Sequence, residues 1–367
     1  MLYHLLIPLG GAGNVFRYIT FRTACAMVTS LTFCYVLYPV FIEWMKRKRM
    51  EQIIRTDGPQ SHVEAKVGTP TMGGVVMHLG MIVTALLWAR LDEPRVWIVL
   101  AIGAGYAAIG LVDDWKKVIE RSSDGLAGRW KLFWQSAIGL VVFGAAYETG
   151  VMDARLHVPF YKHPVIDFAE LWVGAPDWLG WLYVVFCLFV LVGASNAVNL
   201  TDGLDGLAIG SVITSAGTFA VLAYLAGHVE FASYLNIPHV DGAGELSVYA
   251  LAIIGAGLAF LWFNCYPAQI FMGDVGSLGL GGSLAAMAVI TKHEILLALV
   301  GGIFVLETLS VLIQVAGYKL TKKRVFLMAP IHHHYEKKGW SEPKIIVRFW
   351  IISGLLALVA LSTLKLR

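Results

Sequence analysis

Residues 178–227 read WLGWLYVVFCLFVLVGASNAVNLTDGLDGLAIGSVITSAGTFAVLAYLAG, two apolar runs, 178 to 195 and 206 to 227, with a short polar link between them. Crossing a bilayer as an α-helix takes roughly 17 to 25 residues. A helix is required because backbone N–H and C=O groups in hydrocarbon must find partners within the segment itself. The same reading extends outward in both directions. Similar runs occupy 23 to 45, 71 to 89, 96 to 112 and 132 to 149 on one side, and 247 to 263, 276 to 291, 295 to 317 and 347 to 364 on the other. The expected fold is an all-α integral membrane protein with about ten transmembrane helices.

Composition agrees. Of 367 residues, 57% are hydrophobic and 14% charged, against about 25% charged in soluble domains, and the mean hydropathy is +0.69. An ordinary water-soluble domain is excluded. The net charge of +3 is too small to suggest nucleic acid as a partner. Cys25, Cys34, Cys187 and Cys265 contain no CxxC pair, which argues against a disulfide framework or a cysteine zinc site. Residues 1–22, with Phe16, Tyr18 and Phe21 beside Arg17 and Arg22, read as an interfacial anchor, and no cleaved signal is expected. No internal repeat divides the chain, so 1–367 is expected to be a single polytopic membrane domain.

With an even number of spans, both termini share a side and the loops alternate. One set of loops carries nineteen arginines and lysines, from Lys46 to Lys66, Lys116 to Lys131 and Lys319 to Arg348; the other, with both termini, carries nine. The basic set is expected in the cytoplasm and the termini in the periplasm. The outer loop 151–177 includes the alternating stretch Arg155 to Lys162, compatible with a small hairpin.

Four polar strings fall in loops of the basic set. Asp113 and Asp114 close the third run in LVDDWKK, where the negative end of the helix dipole disfavours paired carboxylates. A divalent cation would offset them, and Lys117, one turn on, offers a further positive partner or a phosphate contact. The link NAVNLTDGLDG carries Asn199, Asp202 and Asp205, with Gly203 and Gly206 permitting close approach of a ligand; Thr201 or Asp202 could instead cap the following helix. WFNCYPAQIFMGDVGS carries Asn264, Phe271 and Asp274 before an outward-running helix, whose N-terminal amides can hold phosphate oxygens. MAPIHHHYEKKGW places His332, His333 and His334 in succession, about 100° apart on a helix, so one or two are expected to reach a ligand. Zinc has no supporting ligand spacing here. Glu307 and Gln314 lie two turns apart within the ninth run, where an intramembrane carboxylate marks a functional position. His78 reads as a structural histidine, and Gly301 and Gly302 could permit a bend.

Together with RTDGPQSH, GTPTMGG and VRFWIIS, these strings resemble the phospho-N-acetylmuramoyl-pentapeptide transferases, within the polyprenyl-phosphate N-acetylhexosamine-1-phosphate transferase superfamily, over nearly the whole chain. The resemblance implies transfer of phospho-MurNAc-pentapeptide from UDP-MurNAc-pentapeptide to undecaprenyl phosphate, giving lipid I and UMP, with Mg²⁺ as cofactor. It implies a multi-pass protein of the bacterial inner membrane that forms a homodimer and serves peptidoglycan synthesis, with its site on the cytoplasmic face. Asp274, Asp113 and Asp114 match the acidic, metal-binding positions. Lys66, Thr71, Asn199, Asp202, Gly203, Leu204, Asp205, Asn264 and Phe271 match positions around the nucleoside and sugar-phosphate pocket, and the triple histidine matches the family signature. The expected catalytic set is Asp113, Asp114, Asp274, Lys117, His332 and His333, with Gln314 and His334 added to the substrate-binding set.

Two rivals stand beside this reading. A UDP-GlcNAc:undecaprenyl-phosphate GlcNAc-1-phosphate transferase shares the acidic strings but lacks APIHHHYEKKGW. A lipid or solute transporter would place coupling residues near the midplane between internal repeats, and apart from Glu307 neither feature is present.

Overall fold

The computed structural model describes residues 1–48, 50, 68–122, 124–171 and 176–366. Its main elements are α1 (Leu2–Leu6), α2 (Ile19–Arg47), α3 (Gly74–Trp88), α4 (Pro94–Glu120), α5 (Gly128–Glu148), α6 (Trp181–Thr201), α7 (Leu207–Ala226) and α8 (Val229–Leu235). They are followed by α9 (Leu246–Asn264), α10 (Gly273–Ile290), α11 (Glu294–Val300), α12 (Gly302–Thr321), α13 (Ile331–Lys337) and α14 (Glu342–Ser362). Every apolar run of the sequence carries a helix. Eight helices among the described residues are long and apolar enough to cross a membrane. Of the other two runs, α3 has 15 residues, and α5 is diluted by Lys131 and Gln135 near its start.

Helix α10 occupies the centre: 94% of its apolar window is buried, whereas the corresponding figure for α12 is 22%. It packs against α4, α6, α3 and α7. The sequence GDVGSLGLGGSLAAMAVI explains this position, since small residues let helix backbones approach where hydrocarbon gives no hydrophobic push between helices. At Gly110 of α4 an added Cβ would fall 2.2 Å from the carbonyl oxygen of Asp274. Only glycine allows that crossing. A second helix, α9, fills the other half of the core against α2, α7 and α3.

The ninth run is broken. Helix α11 ends at Val300 with Gly301 as its C-cap and α12 starts at Gly302, so the break falls at the glycine pair. The link between α6 and α7 departs from one expectation: α7 starts at Leu207, its N-cap is Gly206 at φ +85°, and no side chain caps it. The Thr201 hydroxyl instead donates to the Ala197 carbonyl, within its own helix.

The end of the bundle away from the polar strings is closed by ion pairs, of which Arg22–Glu245 is buried. Arg22 lies in the first turn of α2, and its guanidinium makes a bidentate pair with Glu245 at 2.5 and 2.6 Å, both side chains buried. Arg155–Leu156 and Ile166–Asp167 pair antiparallel, which gives the expected hairpin. It is tied down by Lys292, whose ammonium lies 2.6 Å from Asp153 Oδ1 and 3.0 Å from the Tyr183 hydroxyl.

Candidate active site

Asp113 and Asp114 lie near the C-terminal end of α4, and Asp274 lies in the first turn of α10. One carboxylate oxygen from each lies within 4.8 Å of the others. Asp113 and Asp114 are buried and Asp274 is 13% exposed. Three carboxylates so close repel strongly unless cations intervene. Two lysines do so. Lys117 Nζ lies 2.5 Å from Asp113, 3.4 Å from Asp114 and 3.2 Å from Asp274, and Lys131 Nζ lies 2.9 Å from Asp113 and 2.6 Å from Asp274. Counted as fully ionised, three carboxylates against two ammonium groups leave one negative charge, which suits a group of oxygen donors able to take a hard divalent cation.

Backbone donors fix the orientation of the acids. Asp114 Oδ2 accepts from the Val275 amide at 3.1 Å, so part of the N-terminal end of α10 is used by the protein itself rather than left open. Asp113 Oδ1 accepts from the Leu126 amide at 2.6 Å. Gly273 sits at φ +74°, and a Cβ there would lie 2.3 Å from Asp114 Oδ2. The turn before α10 therefore needs glycine twice over, for its backbone conformation and for space.

The other strings gather at the same end. Asn199 Oδ1 accepts from the Ser277 hydroxyl, one turn beyond Asp274, at 2.8 Å. Asn264 clamps two loops, accepting from the Gly206 amide at 2.9 Å and donating to the Ile270 carbonyl at 2.8 Å. Asp205 accepts from the Ala268 amide at 3.0 Å. Phe271 pairs its backbone with the 70–74 segment, donating to Pro70 and accepting from Gly73, both at 2.8 Å, which brings buried Thr71 beside this loop. Asp202 and Gly203 lie half-buried on the link, whereas Leu204 packs into a small apolar cluster with Leu207, Ile303, Ile345, Ile346 and Phe349. Lys66 lies outside the described residues.

The three histidines have different partners, although the rings of His332 and His333 touch, with centroids 4.2 Å apart. His332 is buried, with Nδ1 3.1 Å from Glu307 Oε1. His333 Nδ1 lies 2.6 Å from Glu336. His334 Nδ1 accepts from the Leu327 amide at 3.1 Å. Desolvation first, then the positive charge of Lys338, holds His334 below the usual imidazole range, consistent with a neutral ring that accepts there. Gln314 is likewise engaged with the chain: its Oε1 accepts from Val325 and Phe326, and its Nε2 donates to the Phe326 carbonyl. Both residues hold the 325–327 loop in place.

In the sequence Lys131 reads only as a topological charge, yet it is a member of the acidic cluster. Its signal was visible: a lone lysine at the mouth of the apolar run WKLFWQSAIGL must find a partner. Ser277 gave no such signal, because a serine amid glycines reads as a packing residue.

Comparisons with known proteins identify the family. The model of glycosyl transferase family 4 matches residues 96–292, which contain all three aspartates and both lysines. The chain is 55% identical to a phospho-N-acetylmuramoyl-pentapeptide-transferase of Pelobacter propionicus, over 100% of both chains. It is 53% identical to one of Syntrophus aciditrophicus and 52% identical to one of Geobacter sp. strain M21, again over 100% of both chains. A chain that matches these relatives from end to end belongs to the phospho-N-acetylmuramoyl-pentapeptide transferases of glycosyl transferase family 4.

Proposed function

We propose that this enzyme transfers phospho-MurNAc-pentapeptide from UDP-MurNAc-pentapeptide to undecaprenyl phosphate, forming lipid I and UMP for peptidoglycan synthesis. One observation carries the chemistry: three aspartates from two helices, screened by two lysines, form a site with one negative charge in excess at the end of a membrane bundle. Phosphoryl transfer calls for positioning and charge neutralisation more than for covalent chemistry by the protein. In this reading Asp113, Asp114 and Asp274 would hold Mg²⁺, which when bound would neutralise the diphosphate oxygens. Lys117 and Lys131, now spent on carboxylates, become available to phosphate oxygens. Asp113 would bind or deprotonate the lipid phosphate. An oxygen of that phosphate attacks the sugar-bearing phosphorus directly, the bond to the bridging oxygen breaks, and UMP leaves with its electrons. Asn199, Asp202, Gly203, Asp205, Asn264, Phe271, Thr71 and Lys66 would surround the nucleoside and sugar-phosphate, in part by shaping the loops.

The membrane arrangement belongs to the same reading. Ten spans with both termini in the periplasm of a bacterial inner membrane put the aspartates at the cytoplasmic interface. There a water-soluble donor meets an acceptor whose phosphate lies at the surface and whose tail lies in lipid. A homodimer accompanies the reading through the family resemblance.

The deciding experiment incubates purified protein with Mg²⁺, undecaprenyl phosphate and either donor. UMP release from UDP-MurNAc-pentapeptide is expected. Release from UDP-GlcNAc alone, or tracer flux across vesicles without any UMP, overturns the proposal. Labelling of engineered cysteines at positions 124, 202, 268 and 333 should report one common face.

A further inference from the structure

Glu307 is a carboxylate in a helix otherwise turned largely outward, yet its side chain is 0% exposed. A buried carboxylate within an apolar helix needs a partner. The described residues give it one in ion-pair range: His332 Nδ1, 3.1 Å from Glu307 Oε1, in an imidazole 1% exposed. The pair is off the line of a hydrogen bond, but the His332 backbone amide also reaches Glu307, donating to Oε2 at 3.4 Å. One carboxylate thus meets both the ring and the main chain of the same residue. The opposite ring nitrogen, Nε2, is buried and has no hydrogen-bond partner among the described residues. It faces the 201–206 link: a Cβ built on Gly203 would lie 2.3 Å from it. That link is joined to the acidic cluster through Asn199 and Ser277, one turn after Asp274.

We infer that Glu307 is a positioning residue for His332, holding Nδ1 so that Nε2 is presented to the substrate beside Gly203. The inference rests on the transferase reading for what His332 does, and on geometry alone for the pair itself. A carboxylate on Nδ1 makes that nitrogen the N–H donor. Nε2 is then an acceptor when the ring is neutral and a donor when it is protonated, aimed the same way in both states. Catalytic hydrogen bonds are often misaligned without substrate and tighten in the productive complex. A small rotation of the ring would bring Nδ1 into line with Glu307. His333, on the neighbouring position, is paired with Glu336, so Glu307 serves His332 alone among the three.

The test compares E307Q, E307D, H332Q and the double variant E307Q/H332Q in the UMP-release assay, in detergent with Mg²⁺. E307Q keeps the shape and removes the charge. Its kcat is expected to fall by about 10²-fold, the scale of lost support behind a functional imidazole, with KM for the donor within about twofold. E307D should recover part of that loss, and the double variant should be no slower than H332Q, because residues acting as one unit are not additive. Wild-type kcat in E307Q, or losses in the double variant equal to the product of the two single losses, would overturn the inference. A second readout needs neither turnover nor a stable Glu307 variant: ¹⁵N NMR of histidine-labelled wild-type protein, with His332 assigned by its absence in H332Q. Protonated Nδ1 is expected, and a His332 found with bare Nδ1 and protonated Nε2 refutes the pairing. If wild-type protein releases no UMP, the transferase reading fails while the NMR still decides whether Glu307 orients the ring.

Discussion

Replacing Asp274 by asparagine separates the two duties of the acidic cluster. The change is nearly isosteric and removes one charge, so the cluster goes from three carboxylates and two lysines to a balanced set of two and two. Lys131 keeps its contact with Asp113 at 2.9 Å, and Lys117 keeps its contacts with Asp113 and Asp114. Neither ammonium is left bare. The stability cost should therefore be about 1.5–3 kcal/mol, that of a charged hydrogen bond, and not the 3–5 kcal/mol of a buried ion stripped of its partner (~4 kcal/mol at the midpoint). Activity should suffer far more, by about 10³-fold or roughly 4 kcal/mol of barrier, because several kcal/mol of transition-state charge stabilisation depend on the cation. Thermal unfolding gives a readout independent of turnover. At Mg²⁺ one hundred times its Kd the wild type should gain about 2.7 kcal/mol, and Asp274→Asn should gain little. A variant with wild-type turnover and an unchanged Mg²⁺ response would remove Asp274 from the site and refute the charge argument.

Three further outcomes are expected. Gly110→Ala puts a methyl group 2.2 Å from the Asp274 carbonyl oxygen, which is backbone and cannot rotate away; a loss of about 1–3 kcal/mol should show in thermal unfolding, together with lower UMP release. Arg22→Met removes the cation from buried Glu245 and leaves it the Arg90 amide at 3.0 Å; this should cost about 3 kcal/mol, the low end for a broken buried pair, whereas the double change Arg22→Met with Glu245→Leu should recover most of it; equal melting temperatures for the single and double variants would show that the pair is not coupled. Burial pushes the Glu294 carboxyl up to about 7 against the opposing pull of Lys292. The folded state then holds a proton that the unfolded chain releases, so stability should fall as pH rises from about 4.5 to 7, by roughly 3 kcal/mol. Glu294→Gln should flatten that slope in unfolding measurements across this range.

The sequence alone determined the helical membrane class and the ten apolar runs, because hydrocarbon leaves a backbone no partner outside its own helix and run length is read directly. It also located the acidic strings, since carboxylates at helix ends are costly enough to stand out. The helix break at Gly301 and Gly302 and the 155–167 hairpin were legible too, as local features of backbone and alternation. Tertiary structure decided what depends on residues far apart meeting. Lys131 joins Asp274 across 143 positions, Arg22 joins Glu245 across 223, and Glu307 meets His332 only because the 322–330 loop folds α13 back onto α12. Gln314 and His334 look like ligand contacts in a list of polar residues, yet their hydrogen bonds hold the loop that carries the histidines. The physical reason is the same throughout: the bilayer selects a segment by its composition, whereas a buried charge is satisfied only by whichever partner packing brings within about 3 Å.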